Sequence, residues 1–290
     1  MTRHPALFAL LVASVTAVAP LHAAEPPEPT IGREMDYGPF LSGSLDRDKS
    51  VSHKNSSESR EQLGPGNTNA LAAKAINVKL AGGEAAVAFD TDLLRYAAGW
   101  TGSFLDLSKT HLTTLKGSTA LTPAGPLIFS TPPVPGWTTD GKFSDPRGAP
   151  YGPLPRERGR YKGLYVQGDR VVFRYSVGDC DVLDAPSFTS VRTETASFAM
   201  FKRSIRLSSH RTPLAMLVCR KGKNEGDGPW VDLSKGEAKG LSLAEDADGH
   251  VVLNAAPSDA PRLFQVSIAG AAPRVAKDGP LVWGIEDPAE

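Results

Sequence analysis

The stretch that decides the fold is LYVQGDRVVFRYSVGDCDVL, residues 164–183. Apolar side chains occupy every second position from Val171 to Val177, the pattern of a β-strand with one buried face. A glycine–aspartate pair, typical of tight turns, bounds this strand at 168–169 and again at 178–179. The stretch therefore predicts a three-strand antiparallel meander.

The same pattern recurs on both sides of the meander. Residues 76–80 and 85–89 alternate in the same way across Gly82-Gly83, which predicts a hairpin. Further strands are predicted at 198–207, 214–219, 241–243, 251–253 and 263–268, with Asp248-Gly249 as a hairpin turn. The spacing of Leu93-Leu94 and Ala97-Ala98 fits either a helical turn or a strand. About ten short strands joined by turns predict an all-β, mainly antiparallel fold, a β-sandwich or related two-sheet fold with little helix.

One long segment, residues 117–161, interrupts the alternation and is called the Pro/Gly segment below. It holds nine prolines and seven glycines. Loops of this length in compact domains are usually functional or disordered. This segment also carries Phe129, Trp137, Phe143 and Tyr151. That density of aromatic residues favours an ordered loop packed over a sheet.

The chain divides into three parts by composition. Residues 1–24 combine a short polar start with a 14-residue apolar run from Ala6 to Ala19 and a small-residue end, which predicts a cleaved secretory signal, with an uncleaved anchor as the alternative. Residues 25–70 are predicted to be a linker arm and a disordered polar insert, since Val51 is the only apolar residue of 46–62. Residues 71–290 are predicted to form a single β-sandwich-like domain. The expected location is secreted or periplasmic, with no membrane span once the signal is removed.

Charge and motifs exclude several classes of function. Lys and Arg total 32 and Asp and Glu total 32, a balance that argues against nucleic-acid binding. The chain has no C-x-x-C-H haem motif, no clustered zinc ligands, no nucleophile elbow and no phosphate-binding loop. We therefore predict no cofactor, no metal and no catalytic residue. The two cysteines, Cys180 and Cys219, suit either a disulfide in an exported protein or two separately buried thiols.

Three carboxylates form the first candidate site. Asp90 and Asp92 flank Thr91 at a strand end, and Asp145 follows in the Pro/Gly segment. Such oxygen ligands suit a calcium ion, or the acid and base of a glycosidase. The structural alternative is that they cap a turn and form an ion pair with Arg95.

A basic and aromatic run forms the second candidate site. It comprises Arg147, Tyr151, Arg156, Arg158, Arg160, Tyr161 and Lys162. Arginine offers a planar fork for a carboxylate and tyrosine a face for a sugar ring. Alternatively, the arginines bind backbone carbonyls of a proline-rich segment that lacks ladder partners. Trp137 is likewise either a core residue or an exposed glycan platform.

Four segments of the chain together resemble a known family of domains. They are DYGPF (36–40), FDTDLLRYAAGWTGSFL (89–105), DPRGAPYGPLPRERGRYKGLY (145–165) and VVFRYSVGDCDVL (171–183). The chain resembles an uncharacterised family of secreted bacterial domains, the domain of unknown function 6797. The resemblance implies a position ahead of β-propeller-like and c-type cytochrome regions, and it implies no activity. Neither region follows Trp283-Gly284 here, so the sequence is either a fragment or a stand-alone member.

Together these observations predict a secreted, non-catalytic recognition or assembly module. The resemblance implies a propeller or cytochrome c domain as its partner, in the same chain or a companion chain. The competing hypothesis is a carbohydrate-active enzyme or glycan-binding domain that uses the acidic, basic and aromatic residues named above.

Overall fold

The structure is a computed structural model that describes residues 37–48, 69–107, 121–149, 151–192, 197–221, 228–236, 238–271 and 287–289. The predicted signal, residues 1–24, lies outside these ranges, as do residues 49–68 of the predicted arm and insert. None of the helical structure in the described ranges is long and apolar enough to cross a membrane.

Strands dominate the described ranges. They are β1 (Phe40–Asp46), β2 (Ala70–Leu80), β3 (Ala85–Asp90), β4 (Arg95–Thr101), β5 (Leu105–Asp106), β6 (Thr122–Pro123), β7 (Leu127–Ser130), β8 (Trp137–Thr138), β9 (Gly159–Gln167), β10 (Arg170–Val177), β11 (Cys180–Arg192), β12 (Ser197–Leu207), β13 (Leu214–Arg220), β14 (Trp230–Ser234), β15 (Leu241–Glu245), β16 (His250–Ala255) and β17 (Arg262–Ala269). A single 3₁₀ turn, Ala81–Gly83, joins β2 to β3.

The strands form three main sheets and one short ribbon. The first sheet has the order β1-β2-β3-β4-β7, the second β14-β17-β12-β11-β10-β9 and the third β15-β16-β13-β8, while β5 pairs with β6. Paired strands run antiparallel throughout these sheets. This confirms the predicted all-β, mainly antiparallel, sandwich-like class, and the meander appears as β9-β10-β11.

The main core draws on all three main sheets, and its aromatic centre lies between the first two. Phe89 of β3 stacks on Phe173 of β10 with ring centroids 4.2 Å apart, and Tyr96 of β4 meets the Phe89 ring edge-on at 5.3 Å. All three side chains are inaccessible to solvent. Since Phe173 is one of the alternating residues of 171–177, the face that alternation predicted to be buried is the face that packs on the first sheet.

The opposite face of the first sheet is also covered. Trp100 lies there, wholly buried, among small residues that include Ala86, Ala88 and Ala98. Strands β3 and β4 are therefore buried on both faces, so β4 shows no simple alternation of apolar and polar residues. The missing alternation explains why the spacing of Ala97-Ala98 fitted both a helical turn and a strand. In the structure both residues lie in β4, and residues 91–94 form the preceding turn.

The Pro/Gly segment contains regular structure that its sequence did not indicate. In the described residues it supplies β6, β7 and β8, with β7 at the edge of the first sheet and β8 at the edge of the third. The arm also contributes a strand, because β1 pairs with β2 from Phe40↔Val78 to Asp46↔Ala70. Residues 40–46 are therefore part of the body.

Candidate functional site

Asp90 lies at the end of β3 and is engaged by groups of its own turn. Its Oδ1 accepts hydrogen bonds from the backbone N–H of Asp92 (3.1 Å) and of Leu93 (3.3 Å), and its Oδ2 pairs with Arg95 at 3.1 Å. Both side chains of the pair are buried. This is the turn-capping ion pair that the sequence offered as the structural alternative.

Arg95 also fixes two other segments of the chain. Its NH1 donates to the backbone oxygen of Thr131 at 3.0 Å and to the Thr131 hydroxyl at 2.9 Å, while NH2 donates to the backbone oxygen of Leu71. Burial lowers the pKa of the guanidinium, an effect that the charge and hydrogen bond of Asp90 oppose. A buried arginine of this kind requires its partners, since an unpaired charge in the core costs several kcal/mol (roughly 3–5).

Asp145 and Arg147 form a second closed pair within the Pro/Gly segment. Arg147 Nε lies 2.9 Å and 3.2 Å from the two carboxylate oxygens of Asp145, and NH2 lies 2.8 Å from Oδ2. NH1 donates to the backbone oxygen of Gly152. Burial raises the pKa of Asp145, but the hydrogen bonds from Arg147 outweigh it, and the net shift is downwards. Arg147 thus binds a loop carbonyl, as the pinning hypothesis expects.

Asp92 differs from the other two carboxylates. No hydrogen-bond donor of the described residues contacts its side chain, which is half-buried. Burial and the neighbouring charge of Asp90 raise its pKa, against the charges of Lys74 and Arg147. The charges of Asp90, Asp92 and Asp145 all raise the pKa of Arg147. The three predicted carboxylates therefore lie close enough to interact with the same guanidinium.

A very close backbone contact holds the Pro/Gly segment against β4. The Gly136 N–H donates to the Leu93 oxygen at 2.8 Å, and the Gly136 oxygen accepts from Leu217 N–H at 2.9 Å. A Cβ at position 136 would lie 2.3 Å from the Leu94 oxygen and 2.5 Å from the Arg95 Cβ. Only glycine fits this position without displacing the backbone.

Trp137 lies in the core and not on the surface. Its side chain is buried, and its Nε1 donates to the Tyr175 hydroxyl oxygen at 3.1 Å. The Tyr175 hydroxyl donates in turn to Asp184 Oδ2 at 2.9 Å, and Tyr96 donates to Asp184 Oδ1 at 3.2 Å. Arg203 completes the network with an ion pair to Asp184 and lies over the Tyr96 ring at 4.2 Å. Sequence reasoning missed this network, since its members come from five separate strands.

The remaining members of the basic and aromatic run are dispersed. Arg156 and Arg160 are exposed, and no described residue forms a hydrogen bond with either side chain. Tyr151 lies beneath the Arg147 guanidinium at 5.6 Å. Tyr161 packs near Phe89, and burial raises the pKa of its hydroxyl to about 12.

One acidic cluster and the two cysteines bear on metal and redox chemistry in the described residues. Asp246, Asp248 and His250 place their ligand atoms within 4.8 Å of one another, but Asp246 already accepts from the backbone N–H of the other two and contacts the His250 ring. Cys180 and Cys219 are free buried thiols, which corresponds to the second of the two alternatives above. Burial raises the pKa of Cys219 to about 12, so its thiol stays protonated.

One protein family matches part of this chain. Residues 87–184 match a domain of unknown function (DUF6797). The matched segment runs from β3 into β11 and contains both ion pairs, Trp137, Tyr175 and Asp184. It covers about a third of the chain. Neither the curated proteins nor the solved structures gave a significant match.

An open groove lies elsewhere, on the outer face of the second sheet. Its volume is about 560 Å³, and it is lined by Tyr165, Gln167, Arg170, Val172, Arg174, Asp181, Val182, Leu183, Arg206, Ser208, Pro261, Pro288 and Ala289. None of the ten predicted ligand-binding residues lines it. The sequence could have indicated this groove through Arg170, Val172 and Arg174. These residues occupy the face of β10 opposite the one that packs into the main core.

Proposed function

We propose that the protein is an exported, non-catalytic recognition or assembly module. The observation that carries this proposal is the state of Asp90 and Asp145. Each carboxylate is paired with an arginine, and Asp90 also accepts two turn amides. A general acid or base must exchange a proton with substrate, and all four oxygens of these carboxylates already accept hydrogen bonds from the protein. The first pair instead helps to fasten the Pro/Gly segment to the first sheet, because Arg95 also binds Thr131, and the second pair closes a loop within that segment.

The partner proposed from the family resemblance is a propeller or cytochrome c domain in the same or a companion chain. What supports the family's part in this proposal is that the matched segment contains the buried ion pair of Asp90 and Arg95 and the Trp137–Tyr175–Asp184 hydrogen bonds, and ordered scaffolds of this kind position binding surfaces. Export rests on the apolar run at 6–19.

The proposal is tested by separating catalysis from binding. The full chain is incubated with a panel of neutral and acidic polysaccharides, and reducing ends are counted over time. The same chain is then immobilised and exposed to purified propeller and cytochrome c domains of proteins that carry the same family segment. We expect no hydrolysis and saturable binding to at least one domain. Turnover of any polysaccharide would refute the non-catalytic assignment.

The carbohydrate-active alternative rests on a separate observation. The pKa of Asp92 is raised while that of Asp145 is lowered, and divergent carboxyl groups of this kind are a feature of glycosidase acid–base pairs. Asp92→Asn decides the matter, because it removes the proton-transfer group and leaves both ion pairs in place. Loss of a measurable hydrolytic activity in this variant, with Arg220→Ala as a surface control, would favour the alternative.

A further inference from the structure

The groove on the second sheet is strongly basic. Arg170 and Arg174 project from β10 and Arg206 from β12, around a floor that includes Val172 and Leu183. Its one lining carboxylate, Asp181, already pairs with Lys162 and lies 3.7 Å from Arg174. The groove wall therefore presents an excess of positive charge beside an apolar floor.

A segment distant in sequence already lies in this groove. Arg206 forms an ion pair with the Asp287 carboxylate, and Arg170 NH2 donates to the Asp287 backbone oxygen at 2.7 Å. Pro288 and Ala289 line the cavity beside them. These contacts span 81 and 117 residues of sequence, so local chain geometry does not impose them.

Arg206 and Arg170 bind two different groups of the same residue, Asp287. One binds the side-chain carboxylate and the other the main-chain carbonyl, a combination that an aspartate of a peptide supplies and that a phosphate ion does not. The apolar floor suits a proline ring or a small side chain. Tyr165, 53% exposed and hydrogen-bonded to Arg174 at 3.1 Å, adds an accessible aromatic face at the rim.

We infer that the groove is a binding site for an acidic peptide segment of a partner chain, in which an aspartate precedes proline or a small residue. Asp287–Ala289 is the intramolecular occupant of that site and competes with the partner. This inference rests on the proposed recognition function, whose ligand class it names. Charge complementarity carries it, since removal of Asp287 from the groove leaves Arg170 and Arg206 without an acidic partner among the described residues.

The experiment uses the full chain and a labelled peptide, GIEDPAE, with the sequence of residues 284–290. Fluorescence anisotropy measures its binding to the wild type and to Asp287→Asn. Because the substitution removes the charged group that holds the competitor, the variant should bind the peptide about tenfold more tightly. Adding Arg206→Ala to this variant should reverse the gain, and raising the salt concentration should weaken binding.

Matched variants keep the result interpretable. Arg220→Ala removes an exposed arginine at the end of β13, away from the groove, and should leave the affinity unchanged. Arg170→Ala tests the second contact independently if Arg206→Ala lowers the melting temperature. Equal affinity of the wild type and Asp287→Asn, equal binding of a GIENPAE peptide, or absence of binding would each overturn the inference. Each of these results leaves the hydrolysis and domain-binding assays of the proposed function to be decided separately.

Discussion

The Trp137 Nε1 donates a hydrogen bond to the Tyr175 hydroxyl oxygen across 3.1 Å, and this contact joins the Pro/Gly segment to the central strand of the meander. Both side chains are buried, and the Tyr175 hydroxyl donates a hydrogen bond to Asp184. This part of the segment therefore belongs to the core, and substitutions of its buried residues are expected to lower the stability of the fold.

Trp137→Ala should lower the free energy of unfolding by about 3 to 5 kcal/mol, the usual range for truncating a buried aromatic residue. Trp137→Phe keeps most of the apolar volume and loses the hydrogen bond, so its cost should be smaller. Urea unfolding of both variants measures the difference. A wild-type midpoint for Trp137→Ala would contradict the buried position.

Asp184→Asn should destabilise the protein strongly, by about 3 to 5 kcal/mol, because it leaves the buried Arg203 without a counter-charge. The double variant Asp184→Leu with Arg203→Leu removes both charges and should recover much of the loss. The mutant cycle comprises Asp184→Leu, Arg203→Leu and their double variant, and it measures the coupling between the two charges. Additive effects of the two changes would contradict it.

Asp92→Asn should stabilise the protein at neutral pH by about 0.5 to 1 kcal/mol, the scale of single stabilising substitutions. The sign follows from the raised pKa: the protonated form is favoured on folding, so its contribution is present below the ordinary aspartate pKa and is lost as pH rises through the folded value. Melting curves of both proteins between pH 3 and about 7 should therefore converge in acid. A constant difference at every pH would show that charge is not the cause.

Arg147→Ala should destabilise the protein, while Arg156→Ala and Arg160→Ala should leave the unfolding midpoint unchanged, because only the first of these arginines has a hydrogen-bonded partner in the structure. Asp145 has a lowered pKa, so the stability it contributes is present above the ordinary aspartate pKa and is lost as pH falls through the folded value. The deficit of Arg147→Ala relative to the wild type should shrink over that acid range. A deficit that persists unchanged in acid would refute the ion-pair explanation.

Gly136→Ala should be destabilising although alanine is the smallest side chain that could replace glycine. The added methyl would meet the backbone of Leu94 and Arg95, which cannot move without breaking β4. Gly141→Ala in the same segment would meet no atom within 4 Å, but it requires a positive φ of 75°. Gly148→Ala, with open space and no positive φ, is therefore the matched control in thermal unfolding.

Local sequence patterns determined much of this fold. Alternation at 171–177 and at 76–80 with 85–89 predicted strands that the structure contains, because a strand with one wet face has a period of two that any single segment displays. Asp90, the last residue of β3, caps a turn and pairs with Arg95; the sequence offered this as one of two alternatives, since those residues are five apart in sequence. Strand β4 remained ambiguous because burial on both faces removes the period.

Tertiary structure alone decided which charges meet. Five arginines follow Arg147 in the basic run and the meander, and nothing in their spacing separates Arg156, which is exposed, from Arg170, which contacts Asp287. The Tyr96–Asp184 contact spans 88 residues and the Arg206–Asp287 contact 81. Such partners are selected by strand order and register, which a pattern of period two does not encode, so the buried network and the basic groove emerge only when the sheets are assembled.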